Sequence, residues 1–133
     1  MGSWVKALVI FLAGSATIAA AQQEDRDAVG GFTELHRGQV AGETDLELVM
    51  GLVERTGPSI SGKHYHPGGE FGFVLEGITT IVTEDGPPVT VKAGSSFYQP
   101  PGKWHIIKTG GGDTKAVVFR AIRKGDPMIV EVE

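Results

Sequence analysis

The chain has no cysteine among its 133 residues, which excludes disulfide staples, thiolate metal sites and a cysteine nucleophile. Its stability must come from a packed core, from contacts between subunits and from any bound ion. It has no basic cluster: 12 Lys and Arg stand against 16 Asp and Glu, for a formal net charge of −4. A mildly acidic chain of this kind is a poor partner for nucleic acid. Beyond residue 21 it has no apolar segment long enough to cross a bilayer. It also lacks heptads, internal repeats and helical periodicity, so coiled coils, solenoids and bundles drop out.

Lys6 precedes an uncharged apolar stretch, Ala7 to Ala20, and Ala19-Ala20-Ala21 offers small residues just ahead of Gln22. That order is the pattern of a secretory signal peptide over residues 1–21, cut after Ala21. Gly14, Ser15 and Thr17 interrupt the stretch, which argues against a retained anchor. The expected mature chain has 112 residues (133 less 21) and, without Lys6, a net charge of −5. It is expected to be periplasmic or secreted, with no stable membrane span after cleavage. Residues 22–44 read as a flexible N-terminal segment and 45–133 as one domain, because this length leaves no room for a second of ordinary size.

Twenty glycines and seven prolines fall between short apolar runs rather than in one block. Punctuation of that kind favours a sandwich or barrel. Leu46, Leu48, Met50 and Leu52 alternate with Glu47, Val49, Gly51 and Val53, a period of two and therefore a strand. Strand-like runs follow at 64–66, 71–75, 79–83, 89–92, 95–99, 104–108, 115–121 and 128–132. Glu84-Asp85-Gly86-Pro87-Pro88 reads as a hairpin tip. The fold class is all-β.

Three of the four histidines carry a metal-binding pattern. His64 and His66 flank Tyr65, and alternation along an extended strand turns both imidazoles to one side. Pro67-Gly68-Gly69 is a turn-favouring segment that reverses or kinks the chain, and Glu70 then opens the run Phe71 to Leu75. His105 follows a Pro100-Pro101-Gly102 corner and begins another strand. His36 has no partner motif and reads as an exposed or satisfied histidine. Glu76 reads as solvent-facing beside Gly77, Lys103 as a rim charge that could otherwise meet an anionic substrate, and Trp104 as a core aromatic that could otherwise wall a pocket. Phe73, Phe97, Tyr98 and Phe119 read as core or interface. Tyr98 alone of these four has a hydroxyl that could act as an acid, a base or a substrate hydrogen bond.

Residues 45 to 120 resemble the cupin family at both of its signatures. His64, His66, Glu70 and Gly77 match the first family motif, and Gly94, Pro100, Gly102 and His105 match the second. The chain departs from the pattern at two places. Pro58 stands where the first motif begins with glycine, with Gly57 beside it, and Thr109 stands where the second ends with asparagine. Both departures touch the turn scaffold rather than the ligands.

The resemblance implies a small single-domain cupin with one jelly-roll barrel, the double-stranded β-helix. It implies that His64, His66, Glu70 and His105 bind one divalent transition metal, whether Fe, Mn, Ni, Co, Cu or Zn. Four ligands in an octahedral field leave two positions open. The expected function is that of an exported, metal-dependent small-molecule enzyme, dioxygenase-like on an enol, phenolic or flavonol-like substrate, with Glu70 serving as a base as well as a ligand. An isomerase, lyase or decarboxylase is the alternative chemistry, and a non-catalytic binding or sensory cupin the alternative class. The resemblance further implies a homodimer paired through sheet surfaces or exchanged edge strands, with residues 46–53 and 128–132 as the apolar runs that could cover a neighbour's edge.

Overall fold

A computed structural model describes residues 31–133. The proposed signal peptide and residues 22–30 lie outside the described residues. The described chain forms ten strands and no helix: β1 (Phe32–Gln39), β2 (Leu46–Arg55), β3 (His64–Tyr65), β4 (Glu70–Glu76), β5 (Ile78–Thr83), β6 (Val89–Lys92), β7 (Ser96–Gln99), β8 (His105–Thr109), β9 (Thr114–Arg123) and β10 (Val130–Glu131). They make two five-stranded sheets, ordered β1-β2-β9-β4-β7 and β10-β3-β8-β5-β6. Every strand pairing is antiparallel. From β2 onward the chain alternates between the sheets except at the β5–β6 hairpin, whose tip is the predicted Glu84–Pro88 turn. This is the expected all-β jelly-roll barrel.

The expectation of a flexible segment over 22–44 needs correction, because residues 32–39 are a barrel strand. β1 pairs with β2 from Phe32↔Val53 to Gln39↔Glu47, with a register shift between Glu34 and His36 that leaves Leu35 as the extra residue. Its sequence carries no clean alternation, so pairing rather than pattern makes it a strand. Residues 46–53, expected as a run that could cover a neighbour's edge, are flanked by β1 on one side and β9 on the other.

Two apolar clusters fill the interior. Phe32, Val49, Val118 and Ile122 form one, and Val74, Ile81 and Val91 the other, with Phe97 packed against both. Two inward glycines make room for the rings. A Cβ on Gly51 would lie 2.0 Å from the Phe32 ring, and one on Gly72 would lie 2.0 Å from the Phe97 ring. Glycine at these strand positions therefore serves close approach.

Candidate metal centre

Strand pairing assembles the site before any side chain is considered. β3 and β8 are bonded neighbours, and His64 lies directly opposite His105. His66 follows β3 by one residue. The turn after it needs a glycine, since a Cβ on Gly68 would fall 1.6 Å from the Ala121 carbonyl oxygen. That turn carries the chain to the opposite sheet, where Glu70 opens β4. The Pro-x-Gly corner of the second motif braces the first, because Gly102 N–H donates to the His66 carbonyl at 2.9 Å.

The three imidazoles meet as predicted. His64, His66 and His105 are 3%, 3% and 1% exposed, and their ligating nitrogens lie within 4.8 Å of one another. Each Nδ1 is turned toward a backbone carbonyl: His64 to Gly62 and His66 to Met128, both at 2.8 Å, and His105 to Lys103 at 3.4 Å. A carbonyl only accepts, so each Nδ1 carries the proton and each Nε2 keeps a free lone pair. The Nε2 of His105 is buried with no hydrogen-bond partner among the described residues. Burial lowers all three pKa values from 6.5 to about 4, despite raising contributions from the carbonyls and Glu70. The imidazoles are thus neutral at physiological pH. Neutral, convergent and partly orphaned nitrogens fit a divalent transition ion.

Glu70 comes to the same place with a partner that the motif did not reveal. Its Oε2 lies 3.3 Å from His66 Nε2 and accepts a hydrogen bond from Arg120 Nε at 2.5 Å. Both members of this ion pair are buried, at 4% and 5% exposure. Burial alone would raise the Glu70 pKa, but the Arg120 charge and then His66 outweigh it and hold the carboxyl below its ordinary value. Arg120 sits opposite Glu70 in the β4–β9 ladder, and its guanidinium lies 4.6 Å from the Phe32 ring centre. A positioning chain therefore runs from Gly51 through Phe32 and Arg120 to Glu70 and His66. An arginine at an inward strand position, between outward Phe119 and Ala121, was the available signal, since a buried cation requires a partner.

The histidines, Glu70 and Arg120 line a cavity with about 60 Å³ of room for water-sized occupants. Its apolar wall includes Phe32, Val53, Val74, Phe97, Val118 and Ile129, and Arg55, Thr79 and Lys115 add polar groups. Tyr98 is not among them. It lies on the outward side of β7, 49% exposed and stacked on Phe71 at 4.6 Å. The catalytic role expected for Tyr98 is thus contradicted by strand parity, which turns Gln99 inward and Tyr98 away.

His36, Glu76, Lys103 and Trp104 lie outside the cavity. His36 and Glu76 are exposed. Lys103 pairs with Asp85 at 2.9 Å on the rim. Trp104 is half-buried beneath Lys63. Thr109, the second departure from the family motifs, reaches the neighbour of the first, because its hydroxyl donates to the Gly57 carbonyl at 2.9 Å. The scaffold is joined there by a hydroxyl rather than an amide.

Comparison with known proteins agrees with this geometry. A family model described as a cupin domain matches residues 53–120, just over half of the chain. Among solved structures, the DMSP lyase DddQ from Ruegeria pomeroyi is 24% identical over 64% of this chain and 43% of its own, with a TM-score of 0.59. The polyketide cyclase RemF from Streptomyces resistomycificus is 22% identical over 77% of this chain and 70% of its own, also at 0.59. An oxalate oxidase solved with the substrate analogue glycolate is 23% identical over 64% of this chain and 46% of its own, at 0.56. The chain spans less than half the length of the DMSP lyase and the oxalate oxidase, and at these identities the likeness is one of fold. No curated protein sequence matches the chain. The matched domain, the two facing sheets and the paired histidine motifs lead to one conclusion: this chain belongs to the cupin family.

Proposed function

We propose that the protein is a metal-dependent enzyme acting on a small molecule, with dioxygenase-like chemistry on a compact enol or phenol. The observation that carries this reading is three neutral imidazoles whose free nitrogens converge at a buried cavity, with an ionised carboxylate beside them. A closed structural site would have no use for an adjoining cavity. A divalent ion there would supply Lewis acidity and, if redox-active, electrons to dioxygen.

The chain's own groups do the rest. His64, His66 and His105 hold the ion, and Glu70 is the fourth ligand or, swung toward substrate, the base that takes its acidic proton. Arg120 keeps that carboxylate ionised and aimed. The apolar wall excludes water, which strengthens each charge interaction inside. The cavity volume narrows the substrate, because pockets for drug-sized ligands run to roughly 300–1,000 Å³ and one water needs about 10–15 Å³. A flavonol is too large for the interior as it stands, so a substrate of a few heavy atoms fits better. Export belongs to the same reading, supported by the apolar segment ahead of Gln22.

The test uses protein purified from the periplasm or medium, its N-terminus located by mass spectrometry and its metal content measured. The reading expects a chain starting at or near Gln22, about one ion per chain, and dissolved oxygen consumed in proportion to a small enol or phenol. His64→Ala with His66→Ala should abolish metal binding, and Glu70→Gln should weaken it less because the amide oxygen can still ligate. Equal metal content in wild type and the double variant would overturn the site. Full metal loading with tight ligand binding but no turnover or oxygen uptake would make the protein a binding cupin.

A further inference from the structure

Glu70 has a competing partner that the three histidines do not share. Among the described residues, the ligand atoms that lie mutually close are three imidazole nitrogens and no carboxylate oxygen. Glu70 approaches one of those nitrogens, with Oε2 3.3 Å from His66 Nε2. That same oxygen accepts the Arg120 Nε–H at 2.5 Å. The carboxylate oxygen best placed to reach an ion is therefore the one the guanidinium already holds, and a charge-assisted bond between two buried partners is among the strongest a carboxylate makes. Arg120 cannot follow the carboxylate inward. It stands opposite Glu70 in the β4–β9 ladder, it is 5% exposed, and its guanidinium lies 4.6 Å from the Phe32 ring centre. Turning Glu70 onto an ion would take the carboxylate from a buried guanidinium and leave that guanidinium beside a second cation, where water gives it little help.

We infer that Arg120 holds Glu70 off the metal, so that the ion rests on His64, His66 and His105 alone and the carboxylate stays at its side as a separate ionised group. This arrangement rests on the metal site proposed above and decides between the two places given there to Glu70. It departs from the four-ligand set that the family motif implies. The departure follows from topology: the three imidazoles come from β3, the residue after it and β8, whereas Glu70 comes from the opposite sheet, where Arg120 is its cross-strand neighbour. Three imidazoles leave three positions of an octahedral ion open rather than two. That is room for a substrate that binds through two adjacent oxygens, an enol or phenol with a second oxygen on the neighbouring carbon, and Glu70 is left to accept a hydrogen bond from it. The modest loss of affinity expected of Glu70→Gln then reflects a negative charge removed from beside the ion rather than a lost ligand.

Cobalt(II) added to chelator-treated protein is a probe that needs no substrate, because its visible absorption changes with the number and kind of its ligands. The Co(II) spectrum of Glu70→Gln is expected to overlay that of the wild type. Arg120→Gln, which releases the carboxylate to the ion, should shift the spectrum, and adding Glu70→Gln to it should bring the spectrum back. A crystal structure of the Co(II)-loaded wild type, which depends on no variant, should keep Glu70 on Arg120. A Glu70 oxygen within about 2.2 Å of the ion, the reach of a metal–carboxylate bond, overturns the inference, and so does a Glu70→Gln spectrum unlike that of the wild type. Either result leaves the proposed metal centre standing with four ligands. Failure of the wild type to bind Co(II) at all removes the metal centre itself, and the role of Arg120 with it.

Discussion

His105 is the least exposed of the three imidazoles, and its Nε2 has no hydrogen-bond partner among the described residues. In the metal-free protein that arrangement is kept only while the ring is neutral. The three rings hold pKa values near 4 when folded against an ordinary 6.5, chiefly because burial penalises the charged form. As pH falls below 6.5 the unfolded chain therefore takes up protons that the folded chain refuses, and the equilibrium tilts toward unfolding. Stability from this source is complete above pH 6.5 and is lost progressively toward pH 4. Urea unfolding of chelator-treated protein should show a midpoint that moves to lower urea as pH falls from 7 to 4.5. The same series with all three histidines replaced by Gln should be much flatter over that window, and an equally steep fall would place the acid sensitivity elsewhere. The three clustered histidines were legible in the sequence because alternation and two glycine-rich turns mark them locally. Arg120 was not, since its partner Glu70 lies fifty residues away in the chain and only the β4–β9 register brings them together. Tyr98 was misplaced because its hydroxyl drew attention before its parity did.

At the level of strands, β1 shows how much pairing decides that pattern does not. Phe32-Thr-Glu-Leu-His-Arg-Gly-Gln offers two apolar residues and a bulge, so nothing in it announces a strand. The other nine strands were readable because their apolar residues alternate or run between Gly and Pro turns. Yet β1 delivers Phe32, whose ring fills the space left by Gly51 and lies against Arg120. Removing that ring leaves a cavity beside a buried ion pair. Phe32→Ala should cost about 3–5 kcal/mol by denaturant unfolding and should weaken metal binding by loosening Glu70, which acts as a neighbour of the ligand histidines. Gly51→Ala forces its new methyl into the ring and should cost about 1–3 kcal/mol. The two changes act on one space, so the double variant should lose clearly less than the sum of the single losses. Strict additivity would show that Phe32 and Gly51 are not coupled and would break the first link of the positioning chain.

Across the whole molecule, the site is also the place where the two sheets are joined by polar groups. His64 and His105 belong to the second sheet, Glu70 and Arg120 to the first, and the contact between His66 and Glu70 crosses from one to the other. Around it lie the most weakly held elements. β3 and β10 are two residues each and pair over two positions, with His66 tied to Met128 just ahead of β10. An ion bound by His64, His66 and His105 would fasten β3 to β8 and, through Met128, hold the C-terminal strand. Because the three ligands are far apart in the unfolded chain, the ion binds the folded state and its binding free energy adds to stability. At an ion concentration about a thousandfold above Kd the gain is about 4 kcal/mol. A domain of this size should then unfold about 16–32 °C higher with metal than without, taking about 4–8 °C per kcal/mol near 100 residues. Differential scanning calorimetry before and after dialysis against a chelator measures that difference, and readdition of the native ion should restore it. The decisive control is His105→Ala, which should unfold at one temperature with or without metal. If the wild type also failed to respond, the three histidines would be a structural cluster and the metal centre would have to be abandoned.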